Sequence, residues 1–210
     1  MAVITISRQH GTGGRALGRM VAQRLGYTLA DSEIIERLAK EARVSPRWVE
    51  SFEKEAGTRM SRFISTMVAR KWVDRILKDE HGYLDEQSYL DYLVLIVAQV
   101  ADEGNVVILG RGSQYILDDH PDARHVLLVD RVDHRVEIVM GRESIPEAKA
   151  VQEVAAEDRR RISLYGSLGK SDFDQPLLYH LVLHMGRLDL ETACDLVCRL
   201  ADVGELNSLT

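Results

Sequence analysis

Between Ser7 and Arg15 the chain reads S-R-Q-H-G-T-G-G-R. The glycines let backbone N–H groups turn toward one point, and the N-terminus of a following helix adds its dipole there. That combination binds phosphate. No acidic residue precedes Asp31, yet Arg8, Arg15, Arg19 and Arg24 all lie in that stretch. The whole chain is acidic, with 27 Lys plus Arg against 33 Asp plus Glu and a net charge of −6. A local clearing of carboxylates around a glycine cluster fits an anion site better than a turn needed only for packing. Gly11, Thr12, Gly13, Gly14 and Arg15 are therefore the first candidate ligands.

Two loop types compete. Gly11 to Ala16 fits G-x-G-x-x-A, the dinucleotide fingerprint, and Asp31 lies about 20 residues on, where a ribose-binding acid would stand. Against this, Ser7 to His10 separate the strand from the first glycine, a spacer closer to the longer phosphate loop G-x-x-x-x-G-K-[ST]. In that register Arg8 replaces the first glycine, Gly13 is kept, Gly14 replaces the lysine and Arg15 the Ser/Thr. Gly169-Lys170-Ser171 ends like a phosphate loop but has Leu164 at the first glycine and no strand before it.

Several elements must position these residues. Ala2 to Ile6, Tyr27 to Ala30, Asn105 to Leu109, His125 to Val129 and His180 to Met185 are short apolar runs that predict strands. Helices are expected from Arg15 to Gly26, across most of Ser32 to Glu103, over Val132 to Gly141, from Pro146 toward Tyr165, and over Asp189 to Ala201. Strands alternating with helices indicate an α/β fold with a parallel sheet of about five strands covered on both faces. The pattern predicts one domain over 1–210, with a helical insertion at about 43–90 and a lid at about 143–175.

Arg111 stands at the carboxyl end of a buried strand, flanked by glycines, where ligands bind in open α/β sheets. Asp31, ending the second strand, reads either as an acceptor-side base or as a helix cap. Cys194 and Cys198 read as buried small hydrophobes, and no metal site is expected. His180 and His184 alternate with Leu181 and Leu183, as core hydrogen bonding would require. Met60, Phe63, Ile64, Met67 and Val68 make an amphipathic face that suits a homodimer contact or the wall of a pocket.

With 45% hydrophobic and 29% charged residues over 210 positions, the chain can bury a full core, which excludes disordered and fibrous classes. Net acidity excludes coating a nucleic-acid polymer through bulk charge. No apolar run approaches the roughly 20 residues of a membrane span, and no signal peptide is evident, so a cytoplasmic protein without a membrane partner is expected.

SRQHGTGGRALG, RLGYTLADSEIIERLA, VVILGRGSQYIL, PDA and YHLVLHMGRLDLETA together resemble the cytidylate-kinase-like group, relatives of the P-loop nucleoside monophosphate kinases. The resemblance implies a three-layer P-loop fold and transfer of the γ-phosphoryl of ATP to a nucleoside monophosphate or similar small acceptor. It implies that Gly11 to Gly14 cradle the donor and that Arg15 bridges its β- and γ-phosphates. Asp31, Ser32, Arg37 and Arg111 correspond to acceptor-side positions. Asp158 and Arg161 match the lid motif D-x-x-R as catalytic groups, Arg161 acting with Arg159 or Arg160. An Asp158–Arg161 pair that simply holds the lid helix is the alternative.

The departures are specific. The loop lysine and the Ser/Thr that holds Mg²⁺ are missing, so the metal is expected to bind through phosphates alone. Gly112 stands for an acceptor-binding Asp, and Val154 for the first lid arginine. Three functions follow as expectations: an ATP-dependent kinase, a nucleotide-binding regulatory protein without catalysis, and an NAD(P)-binding protein.

Overall fold

β1, Val3–Arg8, is a run of apolar and β-branched residues, and Val3, Ile4 and Ile6 are fully buried. A strand covered on both faces has no polar side to show, which is why its sequence does not alternate. It pairs in parallel with β3, Val106–Leu109, and with β4, Ala123–Val129. β2, Thr28–Ala30, adds beyond β3, and β5, Leu181–His184, beyond β4. The sheet order is β2-β3-β1-β4-β5, all parallel.

This order decides between the two loop motifs. A dinucleotide fold sets its first strand directly beside the second. Here β3 stands between them. The NAD(P) expectation is overturned by that topology.

The computed structural model describes residues 2–31 and 86–202. Ser32, Arg37, the amphipathic face from Met60 to Val68 and most of the expected insertion at 43–90 lie outside them. Two compact units make up the chain: Met1–Asp31 with Gly104–Thr210, and Ser32–Glu103. In the second unit, the helix α2, Glu86–Glu103, buries Leu93, Ile96, Val97 and Ala101.

In the first unit, α1, Gly14–Leu25, buries Leu17, Val21 and Ala22, the spacing of one helical face. A left-handed Gly26 ends it. These residues share a core with Ile4, Ile6, Val107, Leu109, Val126 and Leu128. Ala193, Cys194 and Val197 of the closing helix, Leu190–Ala201, join the same core. The two cysteines are reduced, so the small-hydrophobe expectation fits their place. Beyond β4, α4, Val132–Glu143, and α5, Glu147–Ser167, pack through Val136, Val139, Ala150 and Val154. Val154, which the resemblance sets at a lid-arginine position, is a core residue here. The short α3, Ser113–Ile116, was not expected from sequence, because four residues carry too little pattern to read.

His125 of β4 is buried beside Thr5 of β1, with its Nδ1 2.7 Å from the Thr5 hydroxyl. Its backbone N–H donates to His180 Nδ1 at 3.0 Å. Burial, and then the neighbouring His180, push the His125 pKa down to about 4 from an ordinary 6.5. The unfolded chain thus binds more protons than the folded chain between those values, so stability falls as pH drops through that window. Urea unfolding at pH 8 and pH 5 should show about 2 kcal/mol of acid destabilisation from this residue, absent in His125→Asn.

Candidate functional site

In a parallel sheet all carboxyl ends lie on one side, and here they carry the candidate groups. Asp31 follows β2, Gly110 and Arg111 follow β3, Arg8 ends β1, Asp130 follows β4 and His184 ends β5. The loop after β1 is tied down where Gln9 N–H donates to Leu128 O at 3.1 Å and Asp130 N–H to Gln9 Oε1 at 3.0 Å. Thr12 is buried, and its hydroxyl donates to Gln9 O at 2.8 Å. Gly13, at φ 77°, caps α1 without any side-chain bond, so the first-turn amides keep their donors for a ligand. Gly11 is left-handed too, and a Cβ there would lie 2.7 Å from Arg135 O.

That contact belongs to a clamp between loop and lid. Arg135 of α4 is almost wholly buried and donates through Nη1 to His10 O at 3.1 Å and to Asp158 Oδ2 at 2.7 Å. Asp158 Oδ1 in turn accepts the His10 N–H at 3.3 Å. The intrahelical Asp158–Arg161 pair does not form. Asp158 faces the loop, while Arg161 makes a forked pair with Asp174, with Nη2 2.8 Å from Oδ2. Burial pulls the Arg161 pKa down, but the Asp174 and Tyr165 bonds outweigh it and raise it overall. Of the three consecutive arginines only Arg161 turns inward. Arg159 and Arg160 are exposed, and Arg160 pairs with Glu157.

Arg15 lies at the rim, its side chain 47% exposed, with Nη2 3.1 Å from Asp31 Oδ2. Asp31 is buried and serves as the counter-ion of Arg15, a role none of its three sequence readings gave it. Arg111 stands at φ 58° between left-handed Gly110 and Gly112. A non-glycine residue in that region is strained, and such strain clusters where a side chain is aimed at a ligand. Gly112 stands at φ 69°, a backbone conformation that favours glycine, and a Cβ there would meet Leu168 Cδ1. Below this turn Tyr115 and Tyr165 pack edge to face at 5.1 Å. Burial pushes the Tyr115 phenol up to about 12.

Arg8 is the residue that sequence reasoning undervalued. Its side chain crosses Gly14, where a Cβ would lie 2.9 Å from Arg8 Cγ, and ends against Gly110, where one would overlap Arg8 Nη1. Loss of water lowers its pKa, and Arg111, Arg15 and Arg161 lower it further against an opposing effect of Tyr165. Four guanidinium groups thus act on one region. The available signal was an arginine at the first loop position, directly at a strand end.

Two polar groupings border the site. Asp130, His134, His184, Gly186 and Arg187 line a pocket of about 280 Å³ beside the loop. Asp130 is inaccessible there, its Oδ2 2.5 Å from His134 Nδ1. Near the loop's other side, His10, Glu143 and Glu153 bring three ligand atoms together, and Arg142 Nη2 stands among them, 3.2 Å from His10 Nε2.

A five-stranded parallel sheet in this order, with a glycine loop between β1 and α1 and a helical pair after β4, defines a P-loop-kinase-type α/β protein. The chain belongs to the cytidylate kinase-like family, whose sequence pattern matches residues 3–187. Over 96% of its length it is similar to an uncharacterized protein from Eubacterium ventriosum, at 20% identity, covering 98% of that chain with a TM-score of 0.69. A shikimate kinase from Bacteroides thetaiotaomicron matches at TM-score 0.51 and 12% identity, over 96% of this chain and 99% of that one. A gluconokinase from Sinorhizobium meliloti 1021 matches at 0.50 and 14%, over 96% and 94%. A uronate isomerase of Corynebacterium glutamicum is 31% identical over 102 residues, 49% of this chain and 19% of that protein. The chain thus spans about a fifth of that relative. No helix among the described residues is long and apolar enough to cross a membrane.

The clamp has a measurable consequence. Arg135→Met leaves Asp158 partly buried without its cation and should cost about 3 kcal/mol in urea unfolding. It should also speed amide exchange at 10–13, a readout that distinguishes the loop clamp from general loosening.

Proposed function

We propose that the protein is an ATP-dependent phosphotransferase that moves the γ-phosphoryl of ATP to a nucleoside monophosphate or a similar small acceptor. The observation that carries this reading is the uncapped start of α1 together with Arg8 at the end of β1 and Arg111 after β3, with Arg15 of α1 and Arg161 of α5 acting on Arg8. Phosphoryl transfer asks for positioning and positive charge, with little covalent chemistry from the protein.

In this reading the amides of Gly11 to Gly14 hold the donor's phosphates, and Arg15, oriented by Asp31, faces them from the rim. The donor's base and ribose take the pocket at Asp130, His134 and Arg187, which borders the loop through Gln9. Arg111 addresses the acceptor's anionic group; Ser32 and Arg37, which the family resemblance assigns to the acceptor side, lie outside the described residues. Arg161 neutralises charge on the moving phosphoryl. Asp158 acts as a positioning residue, since it touches the loop amide and Arg135 rather than a reacting atom. Thr12 donates its hydroxyl proton to Gln9 O, and Arg15 stands where the resemblance sets the Ser/Thr that holds Mg²⁺. Magnesium, which offsets phosphate charge when bound, is therefore carried in on the nucleotide.

The missing loop lysine favours a second reading, a nucleotide-binding regulatory protein without catalysis. Product separation after incubation with ATP and Mg²⁺ decides between them, with CMP, dCMP, UMP, AMP, GMP and shikimate as acceptors. The kinase reading expects ADP and one phosphorylated acceptor. ATP binding without turnover across the panel would favour the regulatory reading, and no ATP binding would remove both. Arg161→Ala should lower kcat by about 100-fold while ATP binding changes little.

A further inference from the structure

We infer that Arg8 is the principal phosphate-binding cation of this site, supplying from the first position of the loop the charge that a lysine supplies in intact phosphate loops. The inference rests on the phosphotransferase reading and names the residue on which its anion affinity depends. Arg8 ends the central strand, and its guanidinium reaches between the phosphate loop and the β3 turn. Its path is built. Gly14 lets the side chain cross, with a Cβ there 3.2 Å from both Arg8 Cβ and Cδ, and Gly110 leaves room for its tip. Glycine at 14, where a lysine would stand, therefore serves the arginine that replaces it.

Three other arginines around the loop have protein counter-ions. Arg15 holds Asp31, Arg161 holds Asp174, and Arg135 holds Asp158. Arg8 makes no hydrogen bond or ion pair with any described residue, and Arg111, Arg15 and Arg161 all act against its charge. A partly desolvated guanidinium among like charges destabilises the fold that carries it. A ligand dianion resolves that conflict, and the planar fork matches two phosphoryl oxygens. The chemistry selected is a terminal phosphoryl group approached from the β1–β3 side.

The test uses the full chain with Mg²⁺-ATP and inorganic tripolyphosphate as probes, and reads affinity and thermal stability together. R8M is expected to melt at or above the wild-type temperature without ligand, because it removes a charge the fold does not need. The same variant is expected to bind both probes about 30-fold more weakly, the loss of a charge-assisted pair. R8K should recover part of that affinity, and R19M, which removes an equal charge from the exposed face of α1, should stay near wild type. R8M that fails to fold, or melts well below wild type, would show a structural ion pair and overturn the inference. So would wild-type affinity in R8M. If the wild-type chain binds neither probe, the phosphotransferase reading itself fails, an outcome distinct from failure of Arg8 alone.

Discussion

The Arg8 guanidinium at the end of β1 carries its charge in a partly desolvated place where Arg111, Arg15 and Arg161 all oppose it, and the carboxylates nearby answer that constraint. Like charges brought together away from water must be offset locally. Asp31 and Asp174 do this for Arg15 and Arg161, each carboxylate reaching in from a different part of the first unit. Asp158 offsets a fifth arginine, Arg135, and through the His10 amide joins lid to loop. The glycine loop is thus tied to α4 and α5 by charge, while a small apolar seam around Val139 and Val154 joins those two helices to each other.

The fold was legible from sequence because its strands announce themselves. Val3 to Ile6, Val106 to Leu109 and His125 to Val129 are apolar without alternation, which only strands covered on both faces require. Gly26 and Pro146 marked helix ends by backbone preferences that tertiary structure had no reason to override. The family could be read as well, since several short motifs in fixed order carry more information than any one of them. The dinucleotide alternative survived at that level because G-x-G-x-x-A and an acid 20 residues on are satisfied equally by two topologies. Strand order separates them, and strand order is not local.

The partners of the site residues were less legible, for a physical reason. A charged side chain is placed by the carboxylate nearest in space, and those lie far off in sequence. Arg15 with Asp31 and Arg135 with Asp158 are pairs that no spacing rule indicates. The spacing rule that was available, i to i+3 along α5, suggested Asp158 with Arg161, and both prefer partners elsewhere. Arg8 was hidden differently. At a loop position usually held by glycine it reads as a defect in the motif, until Gly14 and Gly110 are seen to make its channel.

The central claim is that the amides from Gly11 to Arg15 and the arginines beside them hold nucleotide phosphates. Backbone hydrogen exchange of the full chain with and without Mg²⁺-ATP tests it most directly. Slowed exchange is expected across residues 10–16, at the 110–113 turn and near 184–187, with the β1 core unchanged. Protection elsewhere on the surface, with residues 10–16 exchanging as in the free protein, would contradict it.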